Sequence, residues 1–282
     1  MGMNRDCIGK TYKPLEYAVT ADAMKKYALS YNDDNPHFLD EQRPGGIVAP
    51  PMFGVVYGGL SVAAPLFDPE LKMNVAMMVH GEQEMKWFEL VKPGDKITST
   101  AKLQDIIDKG SGELCQIKVA CVNQAGKKVL ESVYGFFVRG GGSGKKSDSK
   151  AGEPPRGADA FSVGMGVTED QTYRYADASG DRNPIHVNPE FAVKVGLPGI
   201  ILQGLCTMAF CQKAVLDSCA NRNPARLKQL FVRFSKPVLP KDQLTTKGWV
   251  IEKAGGQNKY GFETTRPDGT PVIKNGLAEV SG

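Results

Sequence analysis

One six-residue pattern occurs twice in this chain, and that repetition limits the possible fold more than any other feature. Asp33-Asp34-Asn35-Pro36-His37-Phe38 aligns with Asp181-Arg182-Asn183-Pro184-Ile185-His186, and Val91-Lys92-Pro93-Gly94-Asp95 aligns with Val238-Leu239-Pro240-Lys241-Asp242. The 282 residues read as two similar units of about 140 residues, each long enough to bury a core. In the first unit Thr20 caps a helix to Tyr31, with Met24, Tyr27, Ala28 and Tyr31 at helical spacing. The polar turn at 32–38 follows, then a helix from near Pro51 to about Ala64. The run Val75-Ala76-Met77-Met78-Val79 reads as core, and β-type runs follow at 96–108, 113–123 and 127–138. The second unit repeats this order. A helix runs to Ala178 with Thr168 or Asp170 as its cap, a short helix covers 189–195, and a long apolar one covers 203–219. Strands are expected near 227–237, 243–252, 259–266 and 272–280.

A Gly-, Ser-, Lys- and Pro-rich stretch joins the units, so the division falls at 1–139, a flexible linker over 140–157, and 158–282. Its run Gly140-Gly141-Gly142-Ser143-Gly144-Lys145-Lys146-Ser147 is not a phosphate-binding loop. Arg139 stands at the first glycine position, Lys146 at the Ser/Thr position, and no strand–loop–helix context surrounds it.

A hydrophobic content of 41% with 23% charged residues suits a soluble globular protein. The net charge of +4 helps attract an anionic ligand but is too small and scattered for nucleic acid. Cys7, Cys115, Cys121, Cys206, Cys211 and Cys219 form no CxxC pair and no zinc spacing, so reduced, mostly buried thiols and no metal are expected. Residues 1–13 contain no secretory apolar region, no apolar run reaches 18 residues, and the chain ends Val280-Ser281-Gly282 rather than in a Ser-Lys-Leu address. The expectation is an intracellular, cytoplasmic protein with no membrane span, a peroxisomal location being the alternative.

The second copy of the repeat carries chemistry. Asp181 and His186 can together hold a water, take one proton from it and return another, because a carboxylate and an imidazole near neutrality suit general acid/base work. Asn183 offers both a donor and an acceptor to a water or a substrate oxygen. Gly204 stands at the expected start of the long helix, where an unpaired backbone N–H, aided by the helix dipole, suits an oxyanion on a thioester carbonyl. The first copy has no imidazole at the matching position: His37 aligns with Ile185, and Phe38 with His186. A plainer reading treats Asp181 and Asn183 as turn formers; His186 and the glycine-opened helix distinguish the two. His80 either enters the site across the halves or is a structural hydrogen-bonding histidine, and His37 reads as a boundary residue. Arg226, Lys228, Arg233, Lys236 and Lys241 form either a solvated face or a site for the phosphate groups of a ligand.

The stretch Ser179-Gly180-Asp181-Arg182-Asn183-Pro184-Ile185-His186 resembles the hydratase 2 motif of MaoC-like enoyl-CoA hydratases. Val79-His80-Gly81-Glu82-Gln83, Asp108-Lys109-Gly110-Ser111-Gly112 and Gly204-Leu205-Cys206-Thr207-Met208-Ala209-Phe210 carry the same resemblance over nearly the whole chain. It implies an α+β double hot-dog fold, two tandem repeats in which an antiparallel sheet wraps a long helix. It implies reversible hydration of trans-2-enoyl-CoA to (3R)-3-hydroxyacyl-CoA, with an acyl-CoA substrate, no cofactor and a homodimer as the assembly. Asp181 and His186 would be the catalytic pair, Asn183 an assistant, and the Gly204 N–H the polarising donor. Gln203, His80 and Arg233 would bind substrate, and the first half would have lost catalysis while widening the acyl tunnel. One departure is visible: Gln203 stands where the family commonly has histidine before the glycine. A hot-dog acyl-CoA thioesterase and a non-catalytic acyl-CoA-binding protein are the alternatives.

Overall fold

The computed structural model describes residues 2–145 and 155–282; positions 146–154 of the expected linker lie outside the described residues. Of the rest of that stretch, 140–145 folds back on the 108–112 turn. Gly140 and Gly144 donate their N–H groups to the Ser111 and Gly110 carbonyls, and Ser143 N–H donates to the Asp108 carboxylate.

The first half begins with β1 (Leu15–Ala18) and α1 (Ala21–Ser30). Thr20 Oγ1 accepts from Ala23 N–H at 3.2 Å and starts α1 as its sequence requires. α2 (Pro36–Leu39) turns the repeat motif into one helical turn. The expected long helix after Pro51 is instead a broken one. A 3₁₀ turn at Pro51–Phe53 leads into α3 (Gly54–Gly59), a second at Leu60–Val62 follows, and α4 (Ala63–Leu66) closes it. Gly54, Gly58 and Gly59 each cost about 1 kcal/mol of helix propensity against alanine, and Pro65 has no N–H to donate. Tertiary packing keeps the path helical but does not make it uniform. Four strands follow: β2 (Met78–Trp87), β3 (Lys96–Asp108), β4 (Gly112–Val122) and β5 (Lys128–Arg139).

The second half repeats the plan with β6 (Asp159–Gly166), α5 (Gln171–Ser179), α6 (Pro184–Val187), α7 (Pro189–Lys194) and α8 (Gly204–Cys219). Then come β7 (Leu227–Phe234), β8 (Gln243–Ala254), β9 (Gln257–Thr265) and β10 (Pro271–Ser281). α8 is unbroken over 16 residues, with the stretch from Cys206 to Gln212 buried throughout. It is the wrapped helix of a hot-dog unit. β1 and β6, which local composition does not announce, lie at the two ends of the sheet.

All ten strands form one sheet in the order β1-β3-β4-β5-β2-β7-β10-β9-β8-β6. The two hot-dog units meet at its centre, where β2 and β7 pair antiparallel from Glu82–Arg233 to Lys86–Gln229. The units also meet through α1 and α5. The Tyr27 and Tyr175 hydroxyls are 2.9 Å apart, the Gln171 amide donates to the Ser30 carbonyl, and Arg174 donates to the Leu29 carbonyl at 2.7 Å. One apolar core spans both halves, from Met24, Phe53 and Leu130 to Phe210, Leu216 and Phe262.

Of the run Val75-Ala76-Met77-Met78-Val79, expected in the core, only Met78 packs against it, and that residue is half-buried. Val75 is 41% exposed, Met77 44% and Val79 44%. β7 pairs with β2 only over Glu82–Lys86, so the start of β2 projects past its neighbour and has nothing to be buried against on that side. The cysteines behave as expected: all six are free, five of them buried. Among the described residues no helix is long and apolar enough to cross a membrane.

Candidate active site

The candidate groups come from two turns that the chain builds locally and one short extended segment that joins them. α5 ends at Gly180, whose φ of +81° is a left-handed conformation that glycine adopts without strain. Asp181 follows. Its N–H donates to Ser179 Oγ at 3.2 Å, and its Oδ1 accepts from Asn183 N–H at 3.3 Å, the local bond typical of an Asp-led turn. Asn183 Oδ1 in turn accepts from Ile185 N–H, capping α6 with Pro184 at its first position. This brings His186 round to face back toward Asp181.

His186 is buried, at 7% exposure, and its Nδ1 lies 2.8 Å from the Ile201 carbonyl oxygen. A carbonyl can only accept, so Nδ1 carries the hydrogen and Nε2 is the free ring nitrogen. Nε2 is 3.8 Å from Asp181 Oδ2, too far for a direct hydrogen bond but close enough for one oxygen to lie about 2.8 Å from both. Gln203 is fully buried; its Nε2 donates to the Thr172 carbonyl at 3.0 Å and to the Asp181 carbonyl at 3.3 Å. Gly204 then opens α8, where the first N–H groups have no partner inside the helix. A Cβ at Gly204 would sit 3.2 Å from the Phe234 ring, so glycine here also lets that ring lie against the helix start.

His80, on β2 of the first half, reaches this neighbourhood. Its ring packs 5.0 Å from Phe234, 5.0 Å from Phe136 and 5.8 Å from Tyr134, and its Nε2 is 3.0 Å from Gln83 Oε1. Burial pushes the imidazole down to about 4, against the opposing pull of the Gln83 bond and the Asp181 charge. It is neutral through the physiological range. Beside it opens a groove of about 390 Å³ lined by Val79, Gly81, Glu82, Lys109, Leu114, Phe137, Arg233 and Phe234. Phe234 thus borders the groove, His80 and Gly204 together. The projecting start of β2 that left Val79 exposed forms one wall.

The other expected residues fall as follows. Asn183 is exposed, with its Oδ1 engaged in the α6 cap. Arg233 lines the groove, paired to Glu82 through Nε at 2.9 Å and Nη2 at 2.8 Å. Arg226 bonds the Ser281 carbonyl, Lys228 the Ala225 carbonyl, and Lys241 pairs with Glu169. Lys228 and Arg233 are five residues apart on β7, about 17 Å of strand, so the basic residues do not form a single patch. His37 is half-buried. Among the described residues no three His, Cys, Asp or Glu side chains cluster as metal ligands.

A Dictyostelium discoideum protein named "Probable enoyl-CoA hydratase 2" is 30% identical over 96% of this chain and 94% of its own length, and residues 150–268 match the MaoC like domain. The chain belongs to the MaoC-like dehydratase family. The first half of this MaoC-like chain, residues 6–132, matches the FAS1-like dehydratase domain region. The peroxisomal multifunctional enzyme type 2 of Drosophila melanogaster is 34% identical over 76% of the chain, which spans 35% of that longer protein. A MaoC-like dehydratase from Phytophthora capsici superposes with a TM-score of 0.80 at 26% identity, covering 98% of this chain and 96% of the other. A Mycobacterium tuberculosis protein described as a double hotdog fold superposes at 0.63 with 11% identity over 97% of this chain and 96% of that one, a likeness of fold alone.

The two halves can be registered against each other by their backbone bonds. Val48 N–H donates to the His37 carbonyl as Ile201 N–H does to that of Ile185, and Ala49 N–H donates to Val91 as Leu202 N–H does to Val238. Pro50 therefore stands where Gln203 does, and Pro51 where Gly204 does. This pairing was not visible in the aligned motifs, because the loop from His37 to Val48 is shorter than that from Ile185 to Ile201. The first half lacks the imidazole, since Phe38 is fully buried in its place, and it also lacks the donor, since proline has no N–H. The next donor, Met52 N–H, is taken by Gln212 Oε1 of α8 at 2.8 Å.

Asp33, the counterpart of Asp181, is 1% exposed and lies 3.8 Å from Lys213 Nζ. Burial pushes its carboxyl up to about 6, only partly offset by the Lys213 charge. A carboxyl whose folded value is raised makes a contribution to stability that is full below pH 3.8 and lost as pH rises through about 6. Asp33→Asn is expected to remove that dependence, so that variant minus wild-type stability rises by up to about 3 kcal/mol between pH 4 and pH 7. Denaturant titrations at the two pH values check it; a constant difference refutes it.

Proposed function

We propose that this chain adds water reversibly across the double bond of trans-2-enoyl-CoA to give (3R)-3-hydroxyacyl-CoA. One observation carries the reading: His186 Nε2 and Asp181 Oδ2, 3.8 Å apart, face each other beside a helix that opens with glycine. A water held between the two gives its oxygen to C3 of the enoyl thioester while one of the pair takes a proton. Negative charge moves to the thioester oxygen, where the Gly204 N–H meets it, and C2 then receives a proton from the pair. Water addition is redox-neutral and consumes no electron carrier, so the proposal includes no cofactor. The groove bordered by Phe234 and Val79 supports binding of a substrate with an apolar chain.

The names of the similar proteins support the same reading. Crotonyl-CoA and a longer enoyl-CoA are expected to lose their enoyl absorbance on addition of the protein, with the (3R) product identified by chiral chromatography. Release of free thiol without loss of the enoyl group would indicate a thioesterase. Tight binding without turnover at high protein concentration would indicate a carrier.

A further inference from the structure

We propose that Gln203 is a positioning residue that clamps the Asp181 turn to the start of α8 and so sets the separation between the Asp181 carboxylate and the Gly204 N–H. The inference rests on the hydration reading for its activity readout alone.

The carboxylate needs such a clamp. Its side chain is 40% exposed, so packing does not hold it; its one bond is from Asn183 N–H, and the Asp181 N–H bonds Ser179 Oγ, both within the same turn. Gln203 supplies the tie to another element. Its Nε2 reaches the Asp181 carbonyl at 3.3 Å and the Thr172 carbonyl, in the first turn of α5, at 3.0 Å. Both partners are acceptors, so the amide has one possible orientation. The consequence is that Gln203 Oε1 points away from both and is a buried acceptor without a hydrogen-bond partner. An apolar side chain would not carry that cost. The unpartnered Oε1 is a cost that the amide carries at a fully buried position; what it provides there is one bond to the Asp181 turn and one to α5.

The neighbouring residues show what the clamp is part of. Ile201 holds His186 through its carbonyl and Ile185 through its N–H. Leu202 anchors the segment to Val238, Gln203 holds Asp181, and Gly204 begins α8. Four consecutive residues thus fix the imidazole, the carboxylate and the backbone donor relative to one another. The silent half provides the comparison. Val48 and Ala49 retain both backbone bonds of Ile201 and Leu202, but Pro50 and Pro51 have neither an amide side chain nor an N–H. The segment persists in the silent copy as scaffold, without its two functional features.

Gln203→Met keeps length and apolar volume and removes the donor. Its kcat for enoyl-CoA hydration is expected to fall about 10–100-fold with KM within about threefold, since a misplacement near 1 Å costs about that much. Hydrogen–deuterium exchange should quicken over residues 179–187 and stay unchanged over 21–30. Gln203→Glu provides a second test if the methionine variant fails to fold. A neutral carboxyl can still donate to one carbonyl, whereas an ionised one repels both. Its kcat should therefore fall as pH rises through the value of that buried carboxyl, a limb absent from wild type, and recover on return to acid. Wild-type kcat and unchanged exchange in Gln203→Met would overturn the inference, as would a wild-type pH profile in Gln203→Glu. If the wild-type chain itself does not hydrate enoyl-CoA, the hydration reading fails, and the exchange experiment decides on Gln203 by itself.

Discussion

Replacing His186 or Asp181 with alanine is expected to lower kcat for enoyl-CoA hydration by about 10²–10⁴-fold, the range for removing a positioned acid/base group. The two losses should not add. A water that needs both groups is lost with either, so the double variant should resemble the worse single one. His186→Ala also strips the Ile201 carbonyl of its bond, which costs about 1–3 kcal/mol of stability if no water replaces it. Kinetics should therefore be measured well below the melting temperature of the variant. Asp181→Asn is the gentler companion, because it keeps an acceptor for Asn183 N–H while removing the charge and turning the second oxygen into a donor. Asp33→Asn in the other half should leave kcat within about threefold, since the fully buried Phe38 and the N–H-less Pro51 leave that carboxyl without partners for this chemistry. A loss at Asp33 equal to that at Asp181 would mean that both halves share the reaction.

Gly204→Pro is expected to lower kcat about 10²–10³-fold relative to Gly204→Ala, the range for removing one oxyanion donor. The comparison tests the N–H, whose hydrogen the proline Cδ replaces. Proline is tolerated at a first helical position, Pro51 already occupies the matching one, and Gln203 at ψ 133° has the extended conformation that must precede a proline. Both variants add a carbon against the Phe234 ring, which must yield by a few tenths of an ångström, so that penalty cancels. Only the alanine keeps the N–H. Circular dichroism should show α8 retained in both. Equal kcat in the two variants would remove the Gly204 N–H from the mechanism.

The structure also shows which signals in the sequence were local enough to read. Thr20 caps α1, and the Gly-containing turns bound β3, β4 and β5 within a residue or two of their expected limits. Each is settled by neighbours a few residues away. β1 and β6 were not legible, because each pairs on one side only, with β3 and β8 respectively, and an edge strand does not need the alternating apolar pattern that betrays a central one. The broken helix after Pro51 followed from glycines and a proline that were in view, but how far packing would compensate for them was not. Val75–Val79 failed as core for a long-range reason. Apolar composition shows that a segment can be buried, while the length of β7 decides whether anything covers it.

The sequence by itself showed the duplication, the short spacing of Asp181 and His186 and the absence of an imidazole at the matching place in the first copy, because these are matters of residue identity. Only the tertiary structure decided that the units share one sheet through β2 and β7, that His80 enters the neighbourhood of Asp181 from the other half, and that Pro51 stands where Gly204 does. It alone assigned Gln203 to the Asp181 and Thr172 carbonyls. The reason is common to all four: each depends on hydrogen bonds or packing between residues far apart in the chain, whose register is set when the sheet closes around its helices.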